Sequence, residues 1–573
     1  MKSRFRVVIF SGADPAPILR LVQRIHREVP EVRVCGVLSE RRSGKSISAR
    51  ASAFARNLHD LDFLQYAGSR LWAGVSEAAS QSSSALLRFV HGGGPTVRSA
   101  EDPLRILESL GCVFRVTSDY HCEKSLQFVR SLHPDLGIVY GTRILKRSLF
   151  SIPRCGSINI HKRKVPDYRG GGPVGLWEML DGREEIGVTV HQVTEHLDAG
   201  GIVHSSTIPI EPFDNLTSLA LKAHVTANDL LVRSVADYSK GIVNLKQQTG
   251  SGRMFKAPSP QRLWKLKRQL AATRTSYRPS GSRPMLKMCA KTLLALPRVT
   301  VRNWKRRVHG RFPVNILFHH LLADRQHRLG ISTEYFLRHV RFLQLYYDIV
   351  SLETAIEMLD SNNVKRPTVV LTFDDGYRDN FINLRAVVEE TGVPVTMFIS
   401  SDHISRGNEF NHDLECDHHG FFPLTWMQLT QMRADGFEIG SHTRTHFDCG
   451  SGDDGALQCE IVGSKEELEK HLGQTIKFFS FPFGLPVNIS PQAAAIAGRT
   501  YPYILSACGG DNSVPADGAV RHLRRWCHPN RLWDLELQLQ GVLEQPMLLE
   551  ETFAATARPE TPVSFAGKIV LPE

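Results

Sequence analysis

The stretch at 157–173 reads SINIHKRKVPDYRGGGP. A short apolar strand here ends in Asn-Ile-His, and alternate strand residues share a face, so Asn159 and His161 point together. One offers an amide and the other an imidazole, and the glycines at 170–172 let backbone approach a ligand closely. Downstream, HLDAGG places Asp198 on a turn between two alternating runs. An amide, an imidazole and a carboxylate on strand ends are the set that acyl transfer to an amine requires. Donors must stabilise the oxyanion of the tetrahedral intermediate, and a base or shuttle must take the proton leaving nitrogen. One His and one Asp fall short of the three protein ligands usual for a catalytic metal. The plain alternative is a satisfied core histidine beside an ordinary glycine turn.

A second pair of stretches suggests different chemistry. TVVLTFDDG ends an apolar run, 368–373, in Asp374 and Asp375, and GSHTRTH sets His442 and His446 four apart. On a helical turn that spacing puts both imidazoles on one face. Two imidazoles and a carboxylate make an open divalent-metal site, with positions left for water and substrate. Such a site polarises an amide carbonyl and activates water, while a second aspartate serves as general base. Amide hydrolysis is the natural outcome. DHISRGNEFNHDLECDHHGFF holds His403, His412, His418 and His419 at spacings that fit no standard metal pattern, and reads as a polar lid or insertion.

These residues need a scaffold. Residues 5–10, 32–38 and 136–140 are short apolar runs separated by helix-like segments, as in the buried parallel strands of an α/β sheet. Loops at the ends of such strands are where these sheets bind ligands. At 573 residues the chain exceeds one core. Its ten cysteines include no CxxC pair, so they suggest neither a thiolate zinc site nor a disulfide framework. The N-terminal apolar run is too short for a signal peptide, and no run approaches the ~20 residues of a spanning helix. The expectation is a soluble, cytoplasmic, multi-domain protein.

The net charge of +12 is concentrated: residues 253–311 hold 17 Lys or Arg and no Asp or Glu. With Pro258, Pro260, Pro279 and Pro284, this stretch reads as a basic linker, 251–312. Its MLKMCAKTLLALPRVTVRNWKRR segment mixes apolar and basic residues and suits peripheral contact with an anionic membrane. No aromatic-interleaved basic face or RNA-binding motif is present, so nucleic acid is not expected. Residues 546–573 read as a poorly ordered tail.

The segment GSINIHKRKVPDYRGGGPVGLWEMLDGREEIGVTVHQVTEHLDAGGIV resembles the folate-dependent formyltransferases, which share a strand ending Asn-x-His, a loop ending Arg-Gly and a later Leu-Asp-x-Gly. The likeness covers roughly 1–250. It implies a Rossmann-like α/β formyltransferase domain there, with 10-formyltetrahydrofolate as donor. It further implies that Asn159 and His161 polarise the formyl carbonyl, that Asp198 governs the amine proton, and that Arg169 and Gly170 contact substrate. Lys162, Arg163 and Lys164 depart from the family, which usually has a small Ser and an apolar pair there. Those three would suit a phosphorylated or nucleotide-linked acceptor.

VNILFHHLL, LTFDDGYRDNF, GVPVTMFI, EIGSHTRTH and FFSFPFG resemble the polysaccharide deacetylase family, which includes nodulation-type chitooligosaccharide deacetylases. This implies a distorted (β/α) barrel over 313–545. Asp374 is the implied base, and Asp375, His442 and His446 the ligands of a divalent metal, zinc by preference. Pro482, Phe483 and Gly484 are implied to line the substrate groove. Ser480 stands where many members have an Arg that tethers the base. The usual late Leu-x-His, source of the general acid, has no clear counterpart, because His522 and His528 lie out of frame. The combined expectation is an α/β enzyme with two sites acting on an amino sugar or oligosaccharide, free or carried on a nucleotide or lipid. The alternatives are a deacetylase with a degenerate folate-fold module, and an RNA-directed formyltransferase.

Overall fold

A computed structural model describes residues 4–40, 103–250, 252–278, 285–513 and 522–542. The expected tail lies outside these residues.

Among the described residues, seven strands carry the first domain: β1 (Phe5–Ser11), β2 (Val32–Glu40), β3 (Val113–Thr117), β4 (Leu136–Tyr140), β5 (Ser157–His161), β7 (Glu185–Gln192) and β8 (Ile202–Pro209), with the short β6 (Tyr168–Gly170) apart from them. They form one sheet in the order β3-β2-β1-β4-β5-β7-β8. The first five are parallel and the last two antiparallel. Helices cover the sheet. In Pro15–Glu28 the buried Ile18, Leu19, Leu21, Val22 and Ile25 follow the helical period. Within β5, Ile158 and Ile160 are buried, which sends Asn159 and His161 to the other face.

The basic stretch read as a linker is largely structured. Its start forms β9 (Arg253–Phe255), which pairs with β6 of the first domain. Phe255 stacks on Tyr168 and Trp177. Two helices follow, Pro260–Thr273 and Met285–Val308. In the first, Leu263, Leu266 and Leu270 pack into the first domain's core. Their helical spacing among the Lys and Arg is the signal that a reading by charge alone passes over.

The second domain is a closed ring of seven parallel strands: β10 (Val314–His319), β14 (Thr368–Phe373), β15 (Thr396–Ile399), β16 (Glu438–Ser441), β17 (Phe478–Ser480), β18 (Tyr503–Ser506) and β19 (His522–Cys527). Pairing of β10 with both β19 and β14 closes it. The two-residue strands β11 (Leu321–Leu322) and β12 (Gly330–Ile331) pair outside the ring, and β13 (Asp348–Ile349) borders β14.

The domains are fused through a common core. The helix Leu216–Lys240 lies on the first sheet and against the helix Asn383–Thr391. Its Leu221 and Val225 join the apolar cluster of the second domain. Lys222, buried, bridges Asp214 and Asp324 at 2.9 and 2.7 Å, and Arg385 bridges Asp229 and Asp435. Removing one member of a buried pair strands the other's charge, so these bridges fix how the domains meet.

Candidate active sites

In the first domain the expected residues converge. β5 and β7 are antiparallel neighbours, and their register sets Asn159 directly opposite His191. The Asn159 amide nitrogen lies 3.2 Å from His191 Nε2. His191 Nδ1 lies 2.8 Å from the Gln192 carbonyl, which can only accept, so Nε2 takes the Asn159 hydrogen. His191 Nε2 is 3.6 Å from Asp198 Oδ1, and His161 Nδ1 is 3.9 Å from Asp198 Oδ2. Asp198 adopts left-handed backbone and accepts from the Gly170 N–H at 3.0 Å. Burial works to raise its pKa, but His191, the His161 ring and the Gly170 amide outweigh that and hold it below the usual carboxylate range. Burial lowers the pKa of His161, so its ring is neutral near pH 7.

Gly170 is required by geometry. Its φ is +90°, and a Cβ would sit 2.2 Å from the Phe255 carbonyl oxygen. Arg169 donates to Gln248, which in turn donates to the carbonyls of Asp198 and Gly200. The Arg-Gly pair thus holds the Asp198 loop in place.

In the second domain Asp374 and Asp375 follow the last residue of β14. Asp375 is left-handed, φ +68°, and Gly376 follows at +92°. His442 and His446 do not share a helical turn. They lie on the loop after β16, where Thr443 and His446 are both left-handed. That loop curls His446 Nε2 to 3.3 Å and His442 Nε2 to 3.5 Å from Asp375 Oδ1. One ligand atom from each of the three residues lies within 4.8 Å of the others. Neither Asp375 carboxylate oxygen has a hydrogen-bond partner among the described residues, although the residue is fully buried. A buried, unpartnered carboxylate faced by two imidazoles fits a divalent cation. Ser480 O accepts from His442 Nδ1 at 2.8 Å, which aims Nε2 inward. Burial works to raise the pKa of Asp375, and the His446, His320 and His412 rings more than reverse it, leaving the carboxyl well below its ordinary range.

Residues 93–235 match the formyl transferase family and residues 361–502 the polysaccharide deacetylase family. The chain joins a formyl transferase domain to a polysaccharide deacetylase domain. Methionyl-tRNA formyltransferases of Thermodesulfovibrio yellowstonii and Thermotoga maritima are 36% and 34% identical over 124 and 131 residues, 21% and 22% of this chain. The chain spans 40% and 41% of the length of these relatives. Among solved structures, a Streptococcus pyogenes deacetylase in complex with acetate is similar at 20% identity and TM-score 0.35, over 40% of this chain and 99% of that one. A sugar N-formyltransferase from a Shewanella species is similar at 17% identity and TM-score 0.28, over 44% and 76%.

The deacetylase cavity, about 370 Å³, is lined by Asp374, Asp375, His442, His446 and Phe483. The Gly484 N–H donates to the Pro482 carbonyl, closing the turn that presents Phe483. The Phe483 ring stands edge-on to His446, with centroids 4.9 Å apart. Ser480 stands where Arg was expected, and an arginine reaches it from another strand. Arg525 on β19 reaches Asp374 Oδ1 and Oδ2 at 2.6 and 2.9 Å and also donates to the Ser480 hydroxyl. Its guanidinium lies between the Phe318 and Phe398 rings.

His522 and His528 do not line this cavity; His320 and His412 do. His522 meets Ser506, and His528 meets His339 at 2.8 Å. His412, read from sequence as part of a polar insertion, has Nε2 3.8 Å from Asp375 Oδ2. Burial pulls its pKa down to about 4. Its Nε2 is 2.8 Å from the Tyr377 hydroxyl, which donates to Asp413, itself held by His327.

Each of the three basic residues after His161 is engaged by the protein itself. Lys162 is 3.0 Å from His224 Nδ1 at the domain interface, where burial pulls its pKa down to about 8. Arg163 is buried, donating to the Gly172 and Pro173 carbonyls beside Glu178. Lys164 pairs with Glu185. Lys162 and Arg163 thus serve the domain interface and the loop, while Lys164 stays half exposed beside Glu185. His191 is the residue the sequence reading missed; its signal was a polar side chain within the alternating run of β7.

Proposed function

We propose that the chain hydrolyses an N-acyl group of an amino sugar in its deacetylase domain and formylates an amino-sugar amine in its formyltransferase domain. The observation that carries this is that two chemically complete residue sets, on two sheets, sit in one body with a shared core. In the first, the Asn159 amide, oriented by His191, donates to the formyl oxygen as it becomes an oxyanion. The 10-formyltetrahydrofolate donor enters as substrate. His161 spends its Nε2 hydrogen on the Tyr168 carbonyl, 3.1 Å away, so Nδ1 is free to take a proton beside Asp198. The pair accepts the proton leaving the amine.

In the second, Asp375, His442 and His446 would hold a divalent cation, zinc being the ion best suited to such a set. When bound, it supplies Lewis-acid polarisation of the acyl carbonyl. Asp374, gripped at both oxygens by Arg525, takes the proton of the attacking water. His320 and His412 are the imidazoles available to return a proton to the departing amine. Phe483 offers an apolar platform for a sugar ring. Exchange of an N-acetyl for an N-formyl group on one glycan joins the two reactions in the order that wastes no donor. A reduced-folate donor supports a cytoplasmic setting.

The test is to incubate the protein with N-acetylated and free-amine sugars, sugar nucleotides, oligosaccharides and methionyl-tRNA, with and without donor. Loss of acetyl from a sugar and gain of formyl on a sugar amine are the expected mass changes. Formyl transfer to methionyl-tRNA alone refutes the reading.

A further inference from the structure

Over its described side chains, from Leu294 on, the helix Met285–Val308 is mounted with its polar side inward. Val299 and Asn303 are buried. Asn303 and Arg302 donate to Gln540, Arg298 to the Gly541 carbonyl, and Arg306 pairs with Asp511 at 2.6 Å. Leu294, Val301, Trp304 and Val308 are 83%, 53%, 59% and 62% exposed among the described residues. Leu294, Val301 and Val308 recur every seven residues, with Trp304 one turn from Val301 and Val308. At about 100° per residue this stripe is centred opposite Val299. This described part of the helix therefore packs by its polar face and offers an apolar one to the outside, the reverse of an ordinary surface helix.

Charge selects the occupant. The helix carries seven Lys or Arg and no acid, within a 59-residue stretch equally free of acids. Lys305 and Arg307 flank the stripe and are exposed. An apolar ridge bearing a Trp and bordered by cations matches an anionic lipid surface, where apolar side chains enter the acyl boundary and cations meet headgroups. RNA would use the cations but not the aliphatic ridge. We infer that this helix docks the enzyme on anionic membranes through Leu294, Val301, Trp304 and Val308. Arg306 contacts Asp511, and Asn512 pairs with Val314 at the start of β10, so the helix lies at the strand-start end of the barrel. The deacetylase cavity opens at the strand-finish end, after β14, and stays clear of a docked bilayer.

The test uses the full chain and vesicles of phosphatidylcholine with or without a minority of phosphatidylglycerol, followed by flotation. Binding is expected only with phosphatidylglycerol and should fall as salt rises. Trp304→Glu and Leu294→Glu should each weaken it by about tenfold or more, and Lys305→Gln by about fivefold. Both apolar positions are exposed, so thermal unfolding should be unchanged. The inference is overturned if the full chain does not float, if it floats equally with pure phosphatidylcholine, or if the Glu variants float like the parent. It is equally overturned if Trp304→Glu leaves vesicle binding intact but dissociates a dimer or releases RNA.

Discussion

Replacement of Arg525 by Met isolates the contact that holds the proposed base. Arg525 and Asp374 have 1% and 4% of their side chains exposed, and the fork makes two short bonds at 2.6 and 2.9 Å. Each bond to a charged group contributes about 1.5–3 kcal/mol. Their joint loss, with a carboxylate left buried and unpaired, should cost about 3–5 kcal/mol in urea unfolding of the full chain. Asp374→Asn in the same background removes the stranded charge. The double variant should therefore be more stable than the sum of the two single changes predicts, by about 2 kcal/mol. Metal content should persist in all three proteins, because Asp375, His442 and His446 are untouched, while deacylation should collapse in each. A cost below about 1 kcal/mol for Arg525→Met, or strict additivity, would refute the tether.

His442→Ala or His446→Ala should remove bound metal and deacylation while leaving formyl transfer within about twofold, since two of three protein ligands are at stake; metal analysis beside both assays checks this. Gly170→Ala should cut formyl transfer by about 10², because the new Cβ meets the Phe255 carbonyl at 2.2 Å and displaces the amide that holds Asp198; deacylation should be unaffected. Acid should destabilise the fold through the buried His319, His339 and His528. Burial lowers all three, His339 to about 3 from an ordinary 6.5, so the unfolded chain binds more protons and stability falls as pH drops below about 6.5. Each neutral histidine contributes a slope of up to about 1.4 kcal/mol per pH unit, and His339→Phe should flatten the fall in unfolding free energy between about pH 7 and 5.

Much of the scaffold was legible where burial writes itself into local sequence. β14 is buried on both faces, so TVVLTF is a continuous apolar run and its end at Asp374 was plain. Asn159 and His161 were legible because strand alternation is strict. His442 and His446 do meet at Asp375, but through left-handed loop residues and not through the helical turn that their spacing suggested. Arg525 was illegible: it lies 151 residues from Asp374 and reaches it only because β19, β10 and β14 are neighbours in a closed ring. His412 enters the cavity on a segment whose path depends on the Tyr377–Asp413–His327 bonds, so spacing carries no trace of it. Lys162 and Arg163 misled because charge in a sequence suggests solvent or ligand, whereas here it meets buried acceptors and a domain interface.

If one chain carries two independent reactions on an amino sugar, each can be silenced without the other. The most direct measurement follows one N-acetylated sugar, supplied with 10-formyltetrahydrofolate, by mass spectrometry in the parent protein, His161→Ala and Asp375→Asn. The parent should yield N-formyl sugar, His161→Ala should stop at the free amine, and Asp375→Asn should leave the N-acetyl sugar unchanged yet formylate the free amine when that is supplied. N-formyl product from the N-acetyl sugar in Asp375→Asn, or undiminished product in His161→Ala, would contradict it.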